Sequence, residues 1–146
     1  MSNKTKIAIA SDHAGFELKQ AVVRHLGADN VLDLGANNLD SVDYPDFGYA
    51  VGKALEEGNA EQGIVICGSG IGISIAANRN PAVRAALCMN TEMAKLARQH
   101  NDANVLALGA RLVDEKTALD IVNVFFKTEF EGGRHARRVE KLNSCC

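Results

Sequence analysis

The chain has 146 residues, 47% hydrophobic and 23% charged, with 13 glycines and two prolines. That is the make-up of one ordinary folded domain with a core of its own, and it excludes a disordered or low-complexity segment. A net charge of −2 excludes a strongly basic nucleic-acid face, and no apolar run approaches the roughly 20 residues a membrane helix needs.

In chain order, 6–10 is a short apolar run read as a strand, and it ends in Ser11-Asp12-His13. From Ala14 the apolar spacing turns helical, with Leu18, Val22 and Leu26 on one face and Gly27 at the end. Val31 begins a second short strand closed by Gly35, and a polar loop follows to Tyr44. Pro45 then precedes a helix over 46–57, whose stripe is Phe47, Ala50, Val51, Ala54 and Leu55. The third strand, 63–67, is continuously apolar, as expected where both faces of a sheet are covered. A glycine-rich turn leads into a helix ending near Asn78; 83–88 is the fourth strand, and 91–99 a helix capped by Asn90 or Thr91. A fifth strand at 104–108, a helix over 114–126 and a basic helix at about 134–142 complete a single domain spanning 1–146.

Strand and helix alternate five times, which predicts an α/β fold: a Rossmann-like three-layer α/β/α sandwich around a five-stranded parallel sheet. Right-handed crossovers put every strand-to-helix turn on one edge of such a sheet, and ligands bind there. The candidate residues therefore cluster at Asp12-His13, Asp43-Tyr44, 67–72, 88–90 and 109–111.

Cys67-Gly68-Ser69-Gly70-Ile71-Gly72 follows a buried strand and opens a helix. Glycines let successive N–H groups turn inward, and the helix end adds partial positive charge, so the turn suits an anion: phosphate, thiolate or enolate. Its plainer alternative is a tight strand-to-helix connection that carries no ligand. A dinucleotide fingerprint fails because Ile73 stands where its last glycine belongs, a cysteine-phosphatase loop fails because no arginine stands there, and Ser69 lies in no G-x-S-x-G elbow. Thiols at helix N-termini are the reactive kind, fit to act as base or nucleophile, so Cys67 is set against its plainer reading as the end of a core strand. Cys88 reads as core, and Cys145-Cys146 as an exposed tail. The four cysteines fit neither a zinc pattern nor a disulfide framework, and without a visible secretory signal they are expected to be reduced thiols of a cytoplasmic protein.

His100-Asn101-Asp102 precedes the fifth strand and so lies on the opposite, amino edge of the sheet, an awkward place for a catalytic histidine unless it serves a neighbouring subunit. Downstream, Arg134 and Arg138 share one helix face and suit a phosphate, or simply solvent.

Five stretches carry a resemblance to a known family: Asp-His-Ala-Gly-Phe at 12–16, Asp-Tyr-Pro at 43–45, Cys-Gly-Ser-Gly-Ile-Gly and its helix at 67–78, Arg-Gln-His-Asn-Asp-Ala-Asn at 98–104, and Gly-Gly-Arg-His at 132–135. In this order they resemble the type B ribose-5-phosphate isomerases, a family that includes isomerases of galactose 6-phosphate and allose 6-phosphate. The resemblance implies interconversion of D-ribose 5-phosphate and D-ribulose 5-phosphate through an enediolate, with a six-carbon aldose 6-phosphate as the alternative substrate and a non-catalytic sugar-phosphate-binding module as the alternative outside enzymes. It implies Cys67 as the base moving a proton between C1 and C2, Ser69 in support, and His100 opening the furanose ring. The amides of Gly68, Gly70, Ile71 and Gly72 would hold the enediolate oxygen, with Asn101 assisting. Asp12 and Tyr44 would contact the sugar, and His13, Arg111, Arg134 and Arg138 the phosphate. A homodimer, or a tetramer, with sites at the subunit interface is implied, and neither a metal nor an organic cofactor is.

Overall fold

The computed structural model describes residues 6–145. Five parallel strands, β1 (Ile7–Ser11), β2 (Val31–Asp33), β3 (Gln62–Cys67), β4 (Ala85–Leu87) and β5 (Val105–Gly109), form one sheet in the order β2-β1-β3-β5-β4. The helices are α1 (Phe16–Leu26), α2 (Tyr44–Glu56), α3 (Ile71–Asn78), α4 (Thr91–Asn101), α5 (Glu115–Lys127) and α6 (Arg134–Asn143). A short 3-10 turn, Ala28–Asn30, joins α1 to β2.

Alternation along the central strands sorts the core into two. Ile9, Ile64, Ile66, Leu106 and Leu108 face one way and pack with Leu18 and Val22 of α1, Ala94 and Ala97 of α4, and Ile121, Val122 and Phe125 of α5. Ala8, Ala10, Val65, Cys67, Val105 and Ala107 face the other way, against Val51 and Ala54 of α2 and Ile73 and Ala77 of α3. This is the expected three-layer sandwich, and the layer each helix joins is the one a right-handed crossover requires. The chain leaves β1 toward β2 on one side and returns past it to β3 on the other, so the topological switch lies between β1 and β3. In parallel sheets the ligand crevice opens at the carboxyl ends of the strands flanking such a switch.

Boundaries moved where capping chemistry decides them. Asp12 Oδ1 accepts the Gly15 N–H at 3.0 Å, so α1 begins at Phe16 rather than Ala14. Tyr44, with Pro45 in the first turn, starts α2 two residues earlier than expected. Asn90 caps α4 through the Met93 N–H at 2.8 Å. That helix runs on through His100 and Asn101 to a left-handed Asp102 (φ 47°), where a turn was expected. Strand β4 is three residues long because Asn78 and Asn104 take the backbone groups at its start: Ala85 N–H donates to Asn78 Oδ1 and Arg84 N–H to Asn104 Oδ1. Cys67 and Cys88 are buried free thiols, whereas Cys145, expected as a free thiol, is disulfide-bonded; Cys146 lies outside the described residues.

Candidate active site

At the carboxyl edge, the register sets Ser11 beside Ile66 and Cys67 beside Gly109, so the residues just after β1, β3 and β5 meet. Cys67 closes β3 with 5% of its surface exposed, and its sulfur accepts the Gly70 N–H at 3.2 Å. Ser69 Oγ accepts the Ile71 N–H at 3.1 Å, so Ser69 braces the turn. Gly70 has φ +78°, and a Cβ there would lie 2.8 Å from the Leu108 carbonyl carbon; only glycine fits this bend. The amides of Gly68, Ser69 and Gly72 meet no protein acceptor among the described residues, and the first turn of α3 adds its own partial positive charge. Together they make an anion-binding concavity beside a thiol.

The neighbours close around this turn. Asp12, buried, donates its own N–H to Ile66 O at 3.2 Å, which seats its carboxyl one strand from Cys67. Tyr44 lays its ring against Gly72, where a Cβ would come within 2.6 Å of the ring carbons. Arg111 donates its backbone N–H to Gly68 O at 2.9 Å, and its guanidinium lies over Gly68. His13 Nδ1 accepts the Val42 N–H at 3.2 Å, which leaves Nε2 carrying the proton of the neutral ring and able to donate to an anion. Nothing in the sequence pointed to Val42, because the 36–43 loop folds back by long-range contacts. Cys88, by contrast, has its pKa pushed up to about 12 by burial and stays a neutral thiol.

The other expected residues lie elsewhere. Gly63 pairs with Val105 and Cys67 with Gly109, so the two edges are four residues apart, about 13 Å along the strand. His100 and Asn101 end α4 at the amino edge, and α6 sits against them. Arg98 ties this end together, donating to Thr128 O at 3.1 Å, Ala103 O at 2.7 Å and Asp102 Oδ1 at 2.9 Å, while Glu131 N–H donates to Gln99 O. On α6, His135 and Val139 face inward, and Arg134 and Arg138 are exposed on the outside. His135 stacks on His100 with ring centroids 4.3 Å apart and planes 15° from parallel. Burial first, then Arg134 and His100, lowers the pKa of His135. With Glu131 the two histidines bring ligand atoms within 4.8 Å. Yet an imidazole nitrogen binds a metal in its ring plane, and near-parallel stacked rings cannot both aim at one ion.

One chain thus brings together Asp12, His13, Tyr44, Cys67, Ser69, the turn glycines and Arg111, and keeps His100, Asn101, Arg134 and Arg138 at the far edge. A family model described as Ribose/Galactose Isomerase matches residues 7–142. The chain belongs to that family. Within the ribose/galactose isomerase family, it is 44% identical over 142 residues to ribose-5-phosphate isomerase B of Escherichia coli strain K12, covering 95% of each chain. The ribose-5-phosphate isomerase B structure from Clostridium thermocellum matches at a TM-score of 0.92 and 53% identity, over 94% of this chain and 95% of that one. The enzyme of Mycoplasma genitalium, crystallised with bound ribulose-5-phosphate, matches at a TM-score of 0.88 and 46% identity, over 94% and 93% of the two chains. No helix among the described residues is long and apolar enough to cross a membrane.

Proposed function

We propose that this family member interconverts D-ribose 5-phosphate and D-ribulose 5-phosphate with Cys67 as the base. One observation carries the assignment: a thiol held by the Gly70 amide at 3.2 Å, at the mouth of a turn with three unpaired amides. With the open-chain aldose bound, the Cys67 thiolate takes the proton from C2, and the electron pair shifts through C1 to the carbonyl oxygen. The resulting enediolate oxygen rests on the Gly68, Ser69 and Gly72 amides, an oxyanion-hole arrangement. The Cys67 thiol then returns its proton to C1 while the O2 proton passes to O1, and the C2 carbonyl and C1 hydroxymethyl group of the ketose result. Asp12, whose second carboxyl oxygen has no protein partner among the described residues, and Tyr44 take sugar hydroxyls. His13 and Arg111 take the phosphate. The bound ribulose-5-phosphate of the Mycoplasma genitalium relative supports the five-carbon substrate.

His100, Asn101, Arg134 and Arg138 complete the site from a second copy. Strand β4 is an unpaired edge, and beside it α3 exposes Ile71 and Ile75 while α4 exposes Met93 and Leu96. These apolar side chains, spaced i,i+4 and i,i+3, suit an isologous dimer in which the amino edge of each copy meets the carboxyl edge of the other. A cytoplasmic setting would keep Cys67 reduced, as a thiol base requires, although Cys145 is disulfide-bonded.

The test is a coupled assay on ribose 5-phosphate, with six-carbon aldose 6-phosphates as competitors, on wild type, Cys67→Ala, His100→Ala and a refolded mixture of the two variants. Each variant alone is expected to be nearly dead, with Cys67→Ala still binding the substrate phosphate. The random mixture should regain about a quarter of wild-type activity, since half its dimers hold one intact site. Dead mixtures containing verified hybrid dimers would refute the shared site, and an active Cys67→Ala would refute the base.

A further inference from the structure

His135 is a puzzle of placement. It is 7% exposed, and its Nε2 is buried with no hydrogen-bond partner; the nearest carboxylate, Glu131 Oε1, stands 3.7 Å away, beyond hydrogen-bond range. Buried polar atoms are normally satisfied, and a leucine or phenylalanine would fill the inner face of α6 at lower cost. What the imidazole does contact is His100, ring on ring at 4.3 Å. His100 sits in the last turn of α4, half-buried; the Cβ–Cγ torsion of histidine is broad and has no sharp staggered minima. A flat face packed against it restricts that torsion. The lowered pKa of His135, caused by burial and then by Arg134, keeps it neutral, so it does not set a second cation against His100.

We propose that His135 is a positioning residue for ring opening: stacking beneath His100, it holds that imidazole in the plane in which it exchanges protons with the furanose. The inference rests on the reading that His100 opens the ring in the neighbouring copy's site. In that step the O1 hydroxyl proton passes to a His100 nitrogen while the carbonyl forms at C1. The electron pair of the C1–O4 bond goes to O4, and O4 takes a proton back from the imidazolium. Both transfers use in-plane nitrogen orbitals, so a tilted ring loses them together.

Ribulose 5-phosphate separates this step from the isomerisation. Its C5 oxygen carries the phosphate, so it cannot close a furanose, and solvent deuterium exchange at its C1 reports Cys67 chemistry without ring opening. Three variants are compared by kcat on ribose 5-phosphate and by that exchange rate: His135→Leu, which fills the space without a flat face, His135→Phe, which restores one, and His100→Ala. His135→Leu is expected to lower kcat about tenfold while exchange stays within about twofold, and His135→Phe to recover most of the loss. Thermal unfolding should show neither variant destabilised, because each removes an unpartnered buried nitrogen. The inference is overturned if His135→Leu matches wild type, if it lowers both rates in proportion, or if His135→Phe is no better than His135→Leu. If His100→Ala fails to split the two rates, the ring-opening role of His100 falls and takes this inference with it. If His100→Ala splits them and His135→Leu does not, the His135 inference falls alone.

Discussion

The two edges of the sheet are built from different materials. At the carboxyl edge, the strand ends fix the main chain, and the groups presented are largely backbone: the Gly68, Ser69 and Gly72 amides, the Gly70 amide on the Cys67 sulfur, and the Val42 amide on His13. At the amino edge the functional groups are side chains on the last turn of α4 and the outer face of α6, held by the Arg98 network. The first kind of construction is rigid and intolerant of change. The second is adjustable, and suits the phosphate clamp and the ring-opening histidine proposed above. Proton transfer between neighbouring carbons needs the rigid edge, because a small misplacement of a base costs orders of magnitude in rate.

The sharpest way to break this comparison is to make the same substitution on both edges. Gly70 (φ +78°) and Gly133 (φ +53°) both lie in the left-handed region, but a Cβ on Gly70 would strike Leu87 and the backbone at Leu108 and Gly109, while one on Gly133 meets nothing within 4 Å. Gly70→Ala is therefore expected to displace the oxyanion donors and lower kcat about 10²–10³-fold, the range for losing one such donor. Gly133→Ala is expected to cost about 1–2 kcal/mol of stability with kcat nearly unchanged. Steady-state kinetics and urea titration of the two variants check this, and equal losses of kcat would erase the distinction between the edges.

Next in size is the clamp. Arg134 and Arg138 lie on the solvent side of α6, and neither makes an ion pair within its own chain among the described residues. A hydrogen bond to a charged group contributes roughly 1.5–3 kcal/mol, or about 10–100-fold in binding. Arg134→Ala and Arg138→Ala should each raise KM for ribose 5-phosphate by about that factor, and a non-phosphorylated pentose should show no such dependence. A fall in kcat at constant KM would move these arginines out of the clamp.

What the sequence displayed follows the same division. The apolar runs at 63–67 and 105–108 and the glycine punctuation at 68–72 announce a parallel sheet and an anion-binding turn, because local chemistry determines both. The strand order, with β5 inserted between β3 and β4, is set by which helices cover which face, and no local pattern carries it. The opposite-edge position of His100 was legible from its place before β5. Its stack on His135 was not, since that contact depends on how α6 docks on α4. Ser69 shows the limit within a motif: the resemblance implied only a supporting role, and the structure adds that its Oγ accepts the Ile71 N–H. The carboxyl-edge turn was legible because turns are local; the docking of α6 on α4 was not, because side chains on a docked helix leave little trace in the spacing.

The smallest expected effect tests whether the two edges are mechanically joined. Helix α4 begins at the carboxyl edge with the Asn90 cap and ends at the amino edge with His100, eleven residues that span about 15 Å. Asn90→Ala removes the bond to the Met93 N–H and should cost about 1 kcal/mol, read from the urea midpoint. Fraying confined to that first turn would leave His100 in place, because Arg98 and the Glu131 amide anchor the last turn independently. Turnover of ribose 5-phosphate should then match wild type at temperatures well below unfolding. A kcat that falls with the cap would mean that strain at one edge reaches the other through α4, and the edges would have to be treated as a single unit.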